Sequence, residues 1–251
     1  MNALGEKVRA YAERFLTGND EDDRPIKLKI GHTFRVYDEA CRLIAAEDFD
    51  GADADAAKRA ALLHDYGRFE QYRRYRTFHD AKSIDHGKLA VELVRAHGLL
   101  AGLPPRERGM VLGAVRVHNA IRIPDCATGR LRRIAGAVRD ADKLDIIPIL
   151  LRHLENPETG AVTWNLKEMD DIAPEVAASL RERRTPDYST FRSGSDFVVS
   201  KLAWVYDLNF NHTRREFVKR EYLEKLRRFM PDSEVVERVF AEARQALREE
   251  A

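Results

Sequence analysis

Helical periodicity is the feature that most constrains the fold of this chain of 251 residues. Apolar residues recur three and four positions apart from one end of the sequence to the other, which is the spacing of a buried helix face. No run of roughly four to eight β-branched residues alternates with polar residues between turn signals, so nothing predicts a strand. We therefore predict an all-α protein.

Start and turn signals divide this pattern into helix-length segments. Asp53 precedes an alanine-rich run, Pro105 opens another segment, and Asp232 precedes the last one. Two stretches, 67–80 and 119–130, are predicted as loops, the first because Gly67 interrupts the helical pattern. Since composition does not shift along the chain, we predict a single domain over 1–251, with a helical extension at 156–251 packed on the rest.

Charge and cysteine content exclude several classes of protein. Lysine and arginine number 43 against 42 acidic residues, and this balance argues against a nucleic acid as the ligand. Two cysteines form no disulfide framework, which favours a reducing compartment. Charged residues interrupt the first 16 positions, and no stretch approaches the roughly 18 apolar residues of a membrane span. We expect a soluble, cytoplasmic protein that does not bind membranes.

Several histidines and aspartates occupy positions that should be apolar. His32, for example, is in line with Val36 and Ala40 on the inward face of its segment. One buried histidine is often a core residue bonded to a backbone carbonyl, and a buried carboxylate is costly unless it is paired or metal-bound. Five segments that each direct such a group inward indicate one convergent metal site. The inward residues are His32, His64 with Asp65 beside it, His86, His118 and Asp142.

The order of these residues resembles the HD-domain superfamily of metal-dependent phosphohydrolases. The segment ALLHDYGRFEQ at 61–71 is similar to the helix-ending His-Asp of that superfamily, and IAGAVRDADKLDII at 134–147 is similar to its closing motif. The segment RRYRTFHDAKSIDHGKLAVELV at 73–94 resembles a bacterial branch of uncharacterised HD proteins. The resemblance covers about residues 26–150 and implies a helical bundle whose metal-binding core these residues form.

The resemblance also implies the metal ligands. His32, His64, Asp65 and Asp142 would hold one ion, whereas the added His86 and His118 resemble a subset with two ions bridged by the central aspartate, Asp65. Four imidazoles and two carboxylates suit Fe, Mn, Co, Ni or Zn, and the sequence leaves open which metal binds and whether one or two ions are held.

The expected activity is hydrolysis of a phosphoester by a metal-bound hydroxide that Asp65 positions. Arg68 lies three residues after Asp65, where some HD phosphodiesterases carry a phosphate-contacting lysine, and we expect it to act in catalysis and substrate binding. Arg74, Arg76 and Lys82 are further candidates for substrate binding. The aromatic residues interleaved with them, from Tyr66 to Phe78, either stack on a nucleobase or cover the core.

The predicted substrate is a nucleotide or another small phosphorylated compound. After His118 the chain reads NAIRIPD, without the Gly-Tyr-Pro motif of cyclic-di-GMP phosphodiesterases, which argues against that substrate. Two alternatives remain from the sequence: a di-iron oxygenase of the HD type, and a non-catalytic domain that binds metal or a nucleotide. The sequence also leaves open whether the chain forms a homo-oligomer.

Overall fold

A computed structural model of the chain describes residues 3–156 and 169–249. These residues form helices joined by turns, with no strand among them. The prediction of an all-α protein is therefore confirmed.

The chain divides into two compact units, of which the first is Met1–Asp145. Its helices are α1 (Ala3–Glu13), α2 (Asp20–Ala46), α3 (Gly51–Leu63), α4 (Tyr66–Tyr75), α5 (His86–Ala96), α6 (Pro105–Val117) and the larger part of α7 (Gly129–Glu155). Helix α3 packs against α2 and α6, and α5 packs against α4 and α6. Helix α1 contacts α2, α3 and α4.

The second unit is Ile146–Ala251. After the end of α7 it contains α8 (Pro174–Arg181), α9 (Gly194–Val199), α10 (Asn211–Lys219), α11 (Tyr222–Arg227) and α12 (Glu234–Glu249). Helix α12 packs against α8, α11 and the 3-10 segment Leu202–Asp207, and buries Val236, Val239 and Phe240 at helical spacing. The predicted extension starts at residue 156, and residues 157–168 lie outside those described. The single-domain arrangement stays a prediction.

Small residues allow the helices of the first unit to approach closely. The axis-to-axis distance of packed helices depends on the side chains at the contact. The buried face of α3, which lies between α2 and α6, is mostly alanine: Ala54, Ala56, Ala57, Ala60 and Ala61. Polar groups on α2, at the end of α3 and at the end of α6 can therefore come within a few ångströms of one another.

The predicted loop at 67–80 is wrong over most of its length, because α4 occupies Tyr66–Tyr75. Gly67 lies inside this helix for a packing reason, as a Cβ atom there would lie 2.5 Å from the carbonyl oxygen of His86 and 2.7 Å from the amide nitrogen of Ala90. Both neighbours are backbone atoms of α5 and cannot rotate away. The glycine therefore marks a close contact between two helices, not a break in one of them.

We expect Gly67→Ala to destabilise the first unit by about 1–3 kcal/mol, the usual cost of overpacking. Gly109→Ala is the matched control, because Gly109 also lies within a helix but a Cβ there meets nothing within 4 Å. That control should stabilise the protein by about 0.4–1 kcal/mol. Urea unfolding curves of the two variants test the pair, and equal midpoints would contradict the close contact at Gly67.

Helices long and apolar enough to cross a membrane do not occur within residues 3–156 and 169–249.

Candidate metal centre

The first unit brings the six inward residues together. His32 and Asp142 project from within α2 and α7. The other four lie at helix ends: His64 caps the end of α3, Asp65 precedes α4, His86 begins α5, and His118 caps the end of α6. Four imidazoles and Asp65 are buried, whereas 20% of the Asp142 side chain is exposed.

Two histidines lie near one oxygen of Asp65, and Asp142 lies beside these histidines. Nε2 of His32 lies 3.3 Å from Nε2 of His64 and 3.1 Å from Oδ1 of Asp142. Oδ2 of Asp65 lies 3.4 Å from Nε2 of His32 and 3.7 Å from Nε2 of His64. This group supplies two imidazole nitrogens and two carboxylate oxygens around one point.

The remaining two histidines face the other oxygen of Asp65. Nε2 of His86 and Nε2 of His118 are 2.9 Å apart, and they lie 3.4 Å and 3.8 Å from Oδ1 of Asp65. Asp65 therefore presents a different oxygen to each pair of histidines.

The second nitrogen of each imidazole determines which tautomer is present. Nδ1 of His64 donates to the carbonyl of Ala61, and Nδ1 of His118 donates in the same way to that of Val115, both at 2.7 Å. Nδ1 of His32 donates to Asp145 at 2.7 Å, and Nδ1 of His86 donates to Asp80 at 2.6 Å. Carbonyls and carboxylates only accept, so each neutral imidazole carries its lone pair on Nε2, pointing into the cluster.

This arrangement fits a metal site. Two lone pairs that face each other at 2.9 Å, as on Nε2 of His86 and His118, repel unless a cation lies between them. Two nitrogens each about 2.0–2.1 Å from one ion are about 2.9–3.4 Å apart, since the angle between ligands is about 90–110°. Oδ1 of Asp142 is buried and accepts no hydrogen bond from the described residues. Two groups within the cluster have ligand atoms close enough to share an ion: His32, His64 and Asp142, and His64, Asp65 and His118.

Burial and neighbouring charges set the protonation of these groups. Burial lowers the pKa of His64 to about 4 and that of His86 to about 3. Burial acts to raise the pKa of Asp65, but Lys29 and the surrounding groups outweigh it and hold that pKa well below its usual range. At neutral pH His64 and His86 are thus neutral and can each give a lone pair to a metal ion, and Asp65 beside them is ionised.

The pKa of His32 is shifted in the opposite direction from those of His64 and His86. Burial and the Lys29 ammonium act to lower its pKa, but the carboxylates of Asp142 and Asp145 outweigh them, so the pKa is raised. In the absence of a metal ion a proton on His32 would be stabilised by these carboxylates. Metal binding at this nitrogen therefore requires release of that proton.

A family model of the HD domain matches residues 30–178 of the chain, a range that includes all six residues of the cluster. The chain belongs to the HD-domain family. The members of this family are mostly metal-dependent hydrolases and bind divalent metal ions. No curated protein and no solved structure matches the chain.

Two aspartates that support the HD histidines were missed as site residues from the sequence. Asp145 accepts from His32 and also pairs with Arg35, whose Nε lies 2.6 Å from its Oδ1. Asp80 accepts from His86, Gln71 and Asn119. The signal for Asp145 was its place one helical turn after Asp142, whereas Asp80 is joined to His86 only by the fold. Such partners orient a metal-ligating imidazole and raise its basicity.

Lys29 was also missed. Its Nζ lies 2.8 Å from Oδ2 of Asp65, and its side chain is 18% exposed. It lies three residues before His32, about one turn of α2, so both side chains point toward the cluster. That spacing is the signal that could have found it.

Arg68, predicted from its distance along the chain to Asp65, lies beside this carboxylate. Its Nε is 3.3 Å from Oδ1 of Asp65, and its Nη1 donates to Gln71, Asp80 and the carbonyl of Phe78. Arg68 therefore joins the cluster to the segment that carries Asp80.

The other predicted substrate-binding residues have partners of their own or lie in solvent. Arg74 pairs with Glu70 on α4, Arg76 caps α4 and pairs with Asp22, and Lys82 is exposed. Substrate binding by these three residues stays a prediction. Of the interleaved aromatic residues, Tyr66 is buried in the core.

Asp145→Asn is expected to weaken metal binding by about 10–100-fold, because the carboxylate that orients His32 is replaced by a neutral amide. Asp38→Asn is the matched control, since Asp38 lies exposed on α2. Competition for Zn²⁺ with a chromogenic chelator measures both affinities. Equal affinities for the two variants would show that Asp145 has no part in orienting His32.

Proposed function

We propose that this HD domain is a metal-dependent phosphohydrolase that acts on a nucleotide or another small phosphorylated compound at a centre for two divalent transition-metal ions. The observation that carries the proposal is the position of Asp65, whose two oxygens face different pairs of histidines. A carboxylate placed in this way can bridge two ions. Fe, Mn, Co, Ni and Zn suit the set of nitrogen and oxygen donors.

The six residues would divide into two groups. His32, His64, Asp142 and Oδ2 of Asp65 would hold one ion, and His86, His118 and Oδ1 of Asp65 the other. When bound, such ions lower the pKa of coordinated water and neutralise the charge of a phosphate group. The ion held by His86, His118 and Asp65 would have fewer protein ligands, which would leave more positions for water and substrate.

Two cations beside the cluster support a phosphate substrate. Lys29 and Arg68 both contact Asp65, and their side chains are 18% and 14% exposed. A phosphate oxygen bound beside Asp65 could accept charge-assisted hydrogen bonds from both of them. We propose that Lys29 and Arg68 orient the phosphate, and that Arg74, Arg76 and Lys82 attract it from further out.

Lys29→Met is expected to lower kcat/KM by about 10–100-fold, the equivalent of one lost hydrogen bond to a charged group. Lys27→Met is the matched control, because Lys27 lies on the same helix but is exposed and pairs with Asp20. Steady-state phosphate release, with the metal content of each variant measured in parallel, tests the difference. Equal kinetics for the two variants would remove Lys29 from the substrate site.

The activity itself is tested by phosphate release from a panel of nucleotides and small phosphoesters. The purified chain is assayed with Mn²⁺, Fe²⁺, Co²⁺ and Ni²⁺, each supplied separately. We expect metal-stimulated release from at least one member of the panel. Absence of release with every metal, or oxygen consumption in place of release, would overturn the proposal.

A further inference from the structure

A buried arginine on α7 binds the end of α6 at the point where His118 lies. Arg139 is 4% exposed, and its Nη1 donates to the carbonyl of His118 at 2.9 Å and to that of Val117 at 3.4 Å. The same guanidinium donates to the carbonyls of Ala120 and Ile121. One side chain thus binds four backbone carbonyls within the five residues 117–121.

Among the described residues, a backbone amide donates to only one of these four carbonyls, that of Val117, which accepts from Ala120 at 3.2 Å. The last carbonyls of a helix are unpaired and carry a partial negative charge. A left-handed residue commonly satisfies them by turning the chain back. Among the described residues with positive φ none lies between His118 and Cys126, so α6 does not end in this way. Arg139 takes the place of that motif from another helix.

The segment that Arg139 binds carries one histidine of the second pair and contacts the aspartate that supports the other. His118 is part of it, and the next residue, Asn119, donates to Asp80 at 3.1 Å and to Asp85 at 3.0 Å. Asp80 in turn accepts from Nδ1 of His86. Both His86 and His118 therefore depend on the position of residues 118–121.

Arg139 also lies on the helix that carries Asp142. The two residues are three positions apart, about 4.5 Å along the axis of α7. Asp142 faces His32 and His64, while Arg139 holds the backbone of His118. One turn of α7 thus contacts both halves of the cluster.

We infer that Arg139 is a positioning residue that places the His86 and His118 half of the centre relative to Asp65. The inference rests on the proposed two-ion centre. Loss of the guanidinium releases residues 118–121, so the ion held by His86 and His118 is lost first. The ion held by His32, His64 and Asp142 stays.

The test is a titration of the full-length, metal-free chain with Co²⁺, followed by its visible absorption. We expect two ions per wild-type chain and, for Arg139→Gln, one ion with the spectrum of His118→Ala. The double variant Arg139→Gln/His118→Ala should lose nothing further, because both changes remove the same ion. Arg139→Lys keeps the charge but not the planar set of donors, and should bind the second ion about 10–100-fold more weakly than the wild type.

Arg133→Gln is the matched control. Arg133 also lies on α7 and also donates to carbonyls beyond a helix end, those of Glu47 and Asp48, which carry no residue of the cluster. This variant should bind both ions. If circular dichroism shows that Arg139→Gln does not fold, the affinity of Arg139→Lys for the second ion tests the inference instead.

Three outcomes would overturn the inference: two ions bound by Arg139→Gln with wild-type affinity, equal loss of both ions, or one ion per wild-type chain. The last outcome would also overturn the two-ion centre. A wild-type chain that binds two ions but releases no phosphate would overturn the proposed activity alone, and the role of Arg139 would still be decided by the variants.

Discussion

Asp65→Asn is expected to lower the rate of phosphate release by more than about 100-fold. This is a larger effect than the loss of a residue that only hydrogen-bonds a metal ligand, which costs about 10–100-fold. An asparagine has one amide oxygen and no charge, so it cannot face both pairs of histidines as the carboxylate does. The metal content should fall from two ions per chain to one or none. Elemental analysis and the phosphate-release assay measure the two effects on the same preparation.

Asp55→Asn is the matched control for this change, because Asp55 lies exposed on α3, the helix that ends at His64. It should keep both the metal content and the activity. An Asp65→Asn protein that retains two ions and full turnover would show that Asp65 does not bridge. A folded, inactive and metal-depleted protein would support a catalytic centre over a structural one.

Removal of metal is expected to lower the melting temperature of the wild-type chain by roughly 10 °C for each ion that is bound. An ion present at 1,000 times its Kd stabilises the folded state by about 4 kcal/mol. For chains of about 150–250 residues, each kcal/mol corresponds to about 2–4 °C. Scanning calorimetry before and after treatment with a chelator measures the shift.

Two comparisons show whether this shift comes from the cluster. Addition of Mn²⁺ to the chelated protein should restore the melting temperature, and Asp65→Asn should respond to the chelator much less than the wild type. Equal melting temperatures for metal-loaded and metal-free wild-type protein would contradict a metal ion bound within the fold.

The inward direction of the six cluster residues could be predicted because it is a local property. The backbone of a helix turns by about 100° per residue, so a residue in line with apolar neighbours faces the same way as they do. His32 continues the line of Val36 and Ala40, which are both buried. The same local logic predicted the all-α fold and the start of α6 at Pro105.

Other features could not be predicted, because they depend on contacts between helices. Gly67 looks like a break in the sequence, yet it lies inside α4, where the backbone of α5 leaves no space for a Cβ atom. Asp80 and Arg139 are ordinary charged residues in the sequence. Their roles come from His86 and from the end of α6, which the fold brings beside them.

Helix periodicity is encoded in neighbouring residues, so the amino-acid sequence was enough to predict a helical chain in which four histidines and two aspartates face the interior. The division of these groups around Asp65 comes from the tertiary structure, which places His32 and His64 near one oxygen, His86 and His118 near the other, and Asp142 beside His32. The tertiary structure also decided which groups hold the imidazoles in place. Distances of a few ångströms between different helices depend on how those helices pack, and packing is a property of the whole chain.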